Sequence, residues 1–398
     1  HWRTRLAEQV FALANEPLSV RDPAEEIATT TFFLSYHGED NRALQESVAR
    51  LHEKACPALL WKSPHCGRWR GPGERIRVGF ISKHFRNHSI GKTSKGLMAM
   101  LDRNRFEVTA LFVPPLKDDE TSRFIRAGAD RCVVLSTRLA EARQAVADLE
   151  LDVLFYQDIG MEPFTYFLAF ARLAPVQCVS FGHPETTGIR NMDAFISSAL
   201  FEAVGAQSHY SEQLELLPEA GTLAYYYRPQ PGGPAKGRAD FGLPERAHLY
   251  ICPQTLFKLH PDFDRMVVDI LDADPRARLL LIEAREPNWG ALMRRRLSGS
   301  LGRAMDRVDF LAHQTPEDFI RLIGVCDVML DTPHFNGMNT SLEAFSTGTP
   351  VVTLPMQFQR SRHTRAMYRR MGLEACIARD TGEYVSLALR LGTDAYWN

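Results

Sequence analysis

The break at Arg228 to Gly237 (RPQPGGPAKG) divides the chain into two stretches that share one rhythm, a short apolar run followed by an amphipathic helix. Before it, strands are expected at Ile76–Ile81, Phe106–Phe112, Arg131–Leu135, Val153–Tyr156, Val176–Ser180 and Ala194–Ser197, with a helix near Ser94 to Leu101. After it they are expected at His248–Cys252, Arg278–Ile282, Val308–Leu311, Val328–Leu330 and Val351–Leu354, with helices from Pro261, from Pro316 to Gly324 and from Thr340 to Thr347. Such alternation builds parallel α/β sheets, which bind ligands beyond the carboxyl ends of their strands. Two such units joined by a linker predict a cleft between the two sheets' carboxyl ends.

The N-terminal region reads differently. Leu6, Val10, Phe11 and Leu13 recur at helical spacing, and a second helix is expected from Asn41 to Ala55 with Leu44, Val48 and Leu51 on one face. Ser63 to Glu74 is a linker by its glycines and prolines. The expected domains are therefore a helical segment and linker, 1–74, and two α/β halves, 75–228 and 229–398. The opening residue is histidine, so the chain is expected to be a piece or a processed product of something longer.

Composition narrows the function classes. A net charge of -1 gives no overall drive toward nucleic acid or an anionic membrane surface. The run Arg294-Arg295-Arg296 suits a solvated helix face. Seven cysteines without a C-x-x-C pair argue for reduced thiols, and so for a cytoplasmic location rather than a disulfide framework. No stretch reaches the roughly 18 apolar residues of a membrane span, so no membrane insertion is expected.

Four stretches carry chemistry. In Leu330–Pro350 (LDTPHFNGMNTSLEAFSTGTP) a strand ends at Asp331, a loop carries Asn336 and Gly337, and Asn339 and Thr340 open a helix. A helix start offers backbone N–H groups and the positive end of a dipole to a diphosphate. Asn339 can cap that helix, Thr340 can donate to a phosphate oxygen, and Glu343 lies one turn on, where it can accept from a ribose hydroxyl. An ordinary capped helix explains the same residues equally well.

In Cys252–Asp264 (CPQTLFKLHPDFD), Lys258 lies between a strand and a helix, where it either neutralises a leaving diphosphate or is a solvated surface lysine. Asp262 and Asp264 suit the first turn of a helix, so no metal is expected. Ile81–Lys95 (ISKHFRNHSIGKTSK) places His84, His88, Lys83, Lys92 and Lys95 in one loop after the first strand, where a histidine could act as general base or orient an acceptor. Phe181–Gly188 (FGHPETTG) either lines a pocket with His183 and Thr187 or is only a turn.

Together these stretches resemble the SPINDLY-like and O-linked N-acetylglucosamine transferases and their bacterial relatives that glucosylate asparagines. The resemblance runs in order from Ile76 to Asp394, through RIRVGFISKHFRNHS, APVQCVSFGHPETTG, HYSEQLELLP, TLFKLHPDF, CDVMLDTP, FNGMNTSLEAFSTGTPVVTLP and LRLGTD. It implies an α/β fold of two facing Rossmann-like domains (GT-B type) with a short N-terminal helical segment. The acceptor side would be the first half and the nucleotide-sugar side the second.

It also implies an inverting transfer from a UDP-sugar to a protein or peptide, most simply N-acetylglucosamine to Ser/Thr, with no cofactor or metal. The diphosphate lysine would fall on Lys258, the phosphate-binding helix start on Asn339 and Thr340, the ribose carboxylate on Glu343, uracil recognition near His313 and Gln314, and the histidine after the first strand on His88. Met338-Asn339-Thr340 stands where the animal enzymes have His-Thr-Thr, which looks more like the bacterial asparagine glucosyltransferases. Asparagine glucosylation is thus one rival. A binding scaffold without catalysis is another, and an epimerase, which needs cleft carboxylates, is a third.

Overall fold

The computed structural model describes the whole chain apart from residues 68–73, 220–223, 231, 395 and 398. The glycine-rich part of the expected Ser63–Glu74 linker, and residue 231 of the Arg228–Gly237 break, therefore lie outside the described residues. The chain forms two compact units, 1–35 with 39–227, and 36–38 with 228–398.

The first unit holds seven strands: β1 (Ile76–Ser82), β2 (Phe106–Phe112), β3 (Arg131–Val134), β4 (Val153–Tyr156), β5 (Val176–Ser180), β6 (Ala194–Ser198) and β7 (Gln213–Leu217). They pair in parallel in the order β3-β2-β1-β4-β5-β6-β7. Val78 to Ser82 are buried without alternation, as expected for a parallel strand covered on both faces. The strand β7 was not anticipated. Its segment QLELL lies at the sheet edge with little burial, so it carries no apolar run to mark it. Helices Trp2–Ala14 and Arg42–Ala55 pack through Val10, Val48 and Leu51 and belong to this unit.

The second unit holds β8 (His248–Cys252), β9 (Ala277–Ile282), β10 (Val308–Leu311), β11 (Val328–Leu330) and β12 (Val351–Val352), again all parallel, in the order β10-β9-β8-β11-β12. The helix Pro261–Ala273 starts where proline occupies the first turn and the His260 ring accepts from the Asp262 N–H at 3.2 Å. It buries Phe263, Met266, Val267, Ile270 and Leu271 against the sheet. Helix Asn339–Thr347 ends at Gly348, whose φ of +83° is the left-handed cap that glycine adopts without strain.

Both sheets reverse their strand order once, between β1 and β4 in the first and between β8 and β11 in the second. At such a point the two adjacent loops leave in opposite directions and open a crevice. The stretches singled out for chemistry, apart from Phe181–Gly188 after β5, follow β1, β8 and β11.

Candidate functional site

In the second unit the loops after β8 and β11 converge on Lys258. Its Nζ donates to Gln254 Oε1 at 2.9 Å and to the Asn336 carbonyl at 3.4 Å, and lies 4.7 Å from the centre of the Phe335 ring. Gln254 in turn donates through Nε2 to Thr340 Oγ1 at 2.7 Å. One amide thus connects the loop lysine to the helix start. The lysine is partly buried and held by three groups, so it is not a solvated surface lysine.

Asp331, at the end of β11, is fully buried. Burial pushes its carboxyl up to about 6, opposed by hydrogen bonds from Thr364, Gly337 and Thr353 and by the Lys258 charge. The Gly337 N–H reaches Asp331 Oδ1 at 2.7 Å and Thr353 Oγ1 reaches Oδ2 at 2.9 Å. Loss of hydration pushes Lys258 down to about 8, with Asp331 opposing the fall. The lysine is therefore charged at neutral pH but only moderately above it.

Gly337 is required by contact. A Cβ there would lie 2.3 Å from Thr340 Oγ1 and 2.8 Å from both Gln254 Nε2 and Ser341 Oγ. Asn336 is buried, and neither Oδ1 nor Nδ2 meets a hydrogen-bond partner among the described residues. Such an orphaned pair is uncommon and costly in a native interior. Glu343 is buried one turn into the helix. Asn339 does not cap the helix, contrary to expectation: it is the first helical residue, and Met338 occupies the cap position without a side-chain bond. The tight approach of Gly337 to Thr340 leaves the turn to be set by backbone instead. His313 and Gln314 follow β10, the first exposed and the second bonded to the Ala312 carbonyl at 2.8 Å. Among the described residues no hydrogen bond joins them to the Lys258 group.

Asp262 and Asp264 do not act as a pair. The Asp262 carboxylate meets His334 Nε2 at 2.7 Å, whereas Asp264 is buried against Arg296 at 2.7 Å. Two residues apart on a helix, they face different neighbours.

In the first unit the loops after β1 and β4 carry a second cluster. Glu162 accepts from Lys83 Nζ at 2.6 Å and lies 3.2 Å from His84 Nε2. Burial raises its carboxyl, but His84 and Lys83 together bring it below the usual range. The rings of His84 and His88 stack with centres 4.1 Å apart. Buried Asp158 accepts from Ser82 Oγ and the Lys83 N–H, both at 2.8 Å.

The helix after β1 is Ser89–Met100, so Lys92 and Lys95 are helical rather than in the expected loop. The cause is His88, whose Nδ1 caps the helix by accepting from the Ile90 N–H at 3.2 Å. Burial first, then the charges of His84 and Arg86, push the His88 ring down to about 3. A neutral ring with Nδ1 as acceptor carries its proton on Nε2. His88 therefore presents a donor and is a poor base at neutral pH.

His183 and Thr187 are buried within the first unit. His183 Nε2 lies 2.9 Å from Ser35 Oγ and its ring stacks on Phe32 at 5.0 Å. Thr187 donates to Glu212 from both its hydroxyl and its N–H. These contacts hold the turn after β5 against the N-terminal segment and the edge of the sheet.

Comparison with known proteins gives this geometry a context. The model of Glycosyl transferase family 41 matches residues 44–225 and 234–397. The chain belongs to that family. Among relatives of this family 41 chain, a probable UDP-N-acetylglucosamine–peptide N-acetylglucosaminyltransferase SEC of Arabidopsis thaliana is 26% identical over 330 residues, 80% of this chain and 34% of that protein. A UDP-N-acetylglucosamine–peptide N-acetylglucosaminyltransferase of Caenorhabditis elegans is 34% identical over 158 residues, 40% of this chain and 14% of that protein. A mutant O-GlcNAc transferase of Thermobaculum terrenum superposes with a TM-score of 0.75 at 27% identity, covering 92% of this chain and 69% of the other.

The chain spans 34% of the first of these curated relatives and 14% of the second. The resemblance drawn from the order of motifs is borne out at the level of the family, and so is the fold of two parallel-sheet α/β units of GT-B type. Gln254 and Asp331 were missed in the sequence as site residues. Gln254 stood in view in the CPQT turn, but nothing in a lone glutamine says that its two ends meet different loops.

Proposed function

We propose that this family 41 chain carries the catalytic unit of an inverting, UDP-sugar-dependent protein glycosyltransferase, moving N-acetylglucosamine from UDP-GlcNAc to Ser/Thr. The observation that carries the reading is the Lys258–Gln254–Thr340 connection at the strand-order reversal of the second sheet. A diphosphate there would meet an ammonium, a hydroxyl and the N-terminal turn of a nine-residue helix. The orphaned Asn336 amide would gain the partner it lacks, and Glu343 would take a ribose hydroxyl. The uracil would lie toward His313 and Gln314.

The reaction is a single displacement. The acceptor oxygen attacks the anomeric carbon from the face opposite the nucleotide, the bond to the diphosphate oxygen breaks, and the acceptor proton leaves to a base or to solvent. Negative charge grows on the diphosphate in the transition state. Preorganised positive groups that meet such charge are commonly the largest catalytic contribution. Lys258 supplies that charge without a metal. His88, with its proton on Nε2 and Nδ1 fixed by the cap, orients an oxygen rather than deprotonating it.

Among the described residues no helix is long and apolar enough to cross a membrane, and the seven cysteines are unpaired with one another. The free thiols favour a reducing, cytoplasmic place of action. The names of the relatives favour N-acetylglucosamine carried to an oxygen of a peptide, whereas Asn339 is the feature that favours asparagine and glucose. A peptide library incubated separately with UDP-GlcNAc and UDP-glucose, read by mass spectrometry, tests the reading. A hexosamine on Ser/Thr from UDP-GlcNAc supports it; glucose on Asn selects the rival; no transfer from either donor overturns it.

A further inference from the structure

A group of side chains next to the Lys258 loops has no part in the chemistry above. His260, Asp262 and His334 each offer one ligand atom, and the three atoms lie within 4.8 Å of one another. His334 Nε2 is 2.7 Å from Asp262 Oδ2, His260 Nδ1 is 3.3 Å from the same oxygen, and the imidazole centres are 4.3 Å apart with planes at 69°. Around a zinc ion with bonds of about 2.0–2.1 Å, tetrahedral ligands stand about 3.4 Å apart. Both imidazole nitrogens already lie within that distance of one Asp262 oxygen, and all three ligand atoms fall within 4.8 Å of one another, so small side-chain shifts suffice to seat an ion.

Local structure explains why the rings are poised. His260 is fixed at the start of helix Pro261–Ala273, and Asp262 lies in its first turn. His334 is backed by the Gly38 backbone: a Cβ at Gly38, whose φ is +72°, would lie 2.4 Å from His334 Nδ1. That close approach holds the ring with Nε2 toward Asp262. The imidazoles are mostly covered, with side-chain exposures of 25% for His260 and 12% for His334, while Asp262 is 59% exposed and gives an ion a way in.

We propose that His260, Asp262 and His334 form a binding site for a zinc-class divalent cation, two imidazoles and one carboxylate with a fourth position open to water. His260 is two residues beyond Lys258, and His334 is two residues before Asn336. A bound ion therefore ties together the loops after β8 and β11 that shape the Lys258 group. It fastens those loops and takes no part in the transfer. Nδ1 of His260 gives up its bond to the Asp262 N–H in exchange for the ion. Imidazole-rich sites prefer zinc, cobalt and nickel to magnesium, which keeps to oxygen ligands.

The test uses the full chain, stripped with chelator and desalted, and Co²⁺ as a spectroscopic probe. One Co²⁺ per chain should bind saturably with visible d–d absorption, be displaced by Zn²⁺, and resist excess Mg²⁺. The His334→Ala and Asp262→Asn variants should each weaken binding about tenfold or more. Zn²⁺ should raise the thermal midpoint of the parent chain and leave both variants unmoved. Asp262 is exposed, so Asp262→Asn keeps the variant comparison meaningful even where His334→Ala disturbs the loop. Unchanged affinity in Asp262→Asn, or intense near-ultraviolet thiolate charge transfer showing that the cobalt sits on cysteine, overturns the proposal. So does the absence of saturable binding.

Discussion

Lys258 and Thr340 are joined through one amide, the lysine donating to Gln254 Oε1 at 2.9 Å and the threonine accepting from Gln254 Nε2 at 2.7 Å. The glutamine's orientation is thereby fixed from both sides, since only Oε1 can accept and only Nε2 can donate. Lysine and helix start are locked as one unit before any nucleotide arrives. Such preorganisation avoids reorganisation cost when charge develops.

Removing the ammonium is the most direct check. Lys258→Ala should lower turnover by about two orders of magnitude or more, the scale for loss of one preorganised electrostatic group. Steady-state kinetics with UDP-GlcNAc and an acceptor peptide measure it. Near-normal turnover in a folded variant places the diphosphate elsewhere.

The pH dependence follows from the same lysine. Burial holds Lys258 at about 8, and the charged form is the one that meets the diphosphate. Below about 8 the ammonium persists; above it the charge is lost. The value of kcat/KM should therefore fall on the alkaline side with an apparent midpoint near 8, and Lys258→Arg should remove that limb, since guanidinium stays charged. An alkaline limb that survives in Lys258→Arg belongs to another group.

His88 separates two roles. His88→Asn keeps a residue well suited to cap the helix, whereas His88→Ala also loses the cap at a cost of about 1 kcal/mol. Both variants lose the ring Nε2–H. If His88 orients the acceptor, both should raise the acceptor KM severalfold and leave UDP affinity unchanged, with thermal stability falling only in His88→Ala. A drop of about a hundredfold in kcat at unchanged KM points to proton transfer instead.

Gly337→Ala tests the close approach of loop and helix. Its methyl group would stand 2.3 Å from Thr340 Oγ1 and force that hydroxyl away from Gln254. UDP affinity, measured by calorimetry, should fall by about tenfold or more, while the rest of the fold is retained. Parent-like UDP binding would separate Thr340 from the nucleotide.

Metal dependence distinguishes transfer from loop fastening. In protein already stripped of zinc-class ions, turnover in excess chelator should match turnover with added Mg²⁺, because Lys258 provides the positive charge. Loss of activity in chelator that Mg²⁺ restores would place a metal in the reaction.

Much of this was legible in the residues themselves. The buried runs of β1, β8 and β11, the helix start at Pro261 and the cap at Gly348 are local signals, fixed by side-chain burial and backbone preference over a few positions. Strand β7 was hidden because Glu215 interrupts its leucines, leaving an apolar run too short to mark an edge strand. Lys92 and Lys95 were placed in a loop because nothing in NHS announces that the His88 imidazole will cap a helix beginning at Ser89.

By itself, the order of strands, helices and motifs determined the class of fold, the family, and the residue types brought to the ends of β1, β8 and β11, since periodicity and turn chemistry act locally. Only the tertiary structure decided which of those residues meet. Gln254 lies between Lys258 and Thr340, Asp331 is buried where it feels the Lys258 charge, Asp262 turns to His334 while Asp264 turns to Arg296, and His183 and Thr187 are buried in the fold. Those outcomes depend on the strand order of each sheet, which brings distant loops side by side. The protonation states of Lys258 and His88 depend on the burial that results, and desolvation is a property of the packed molecule rather than of any stretch of chain.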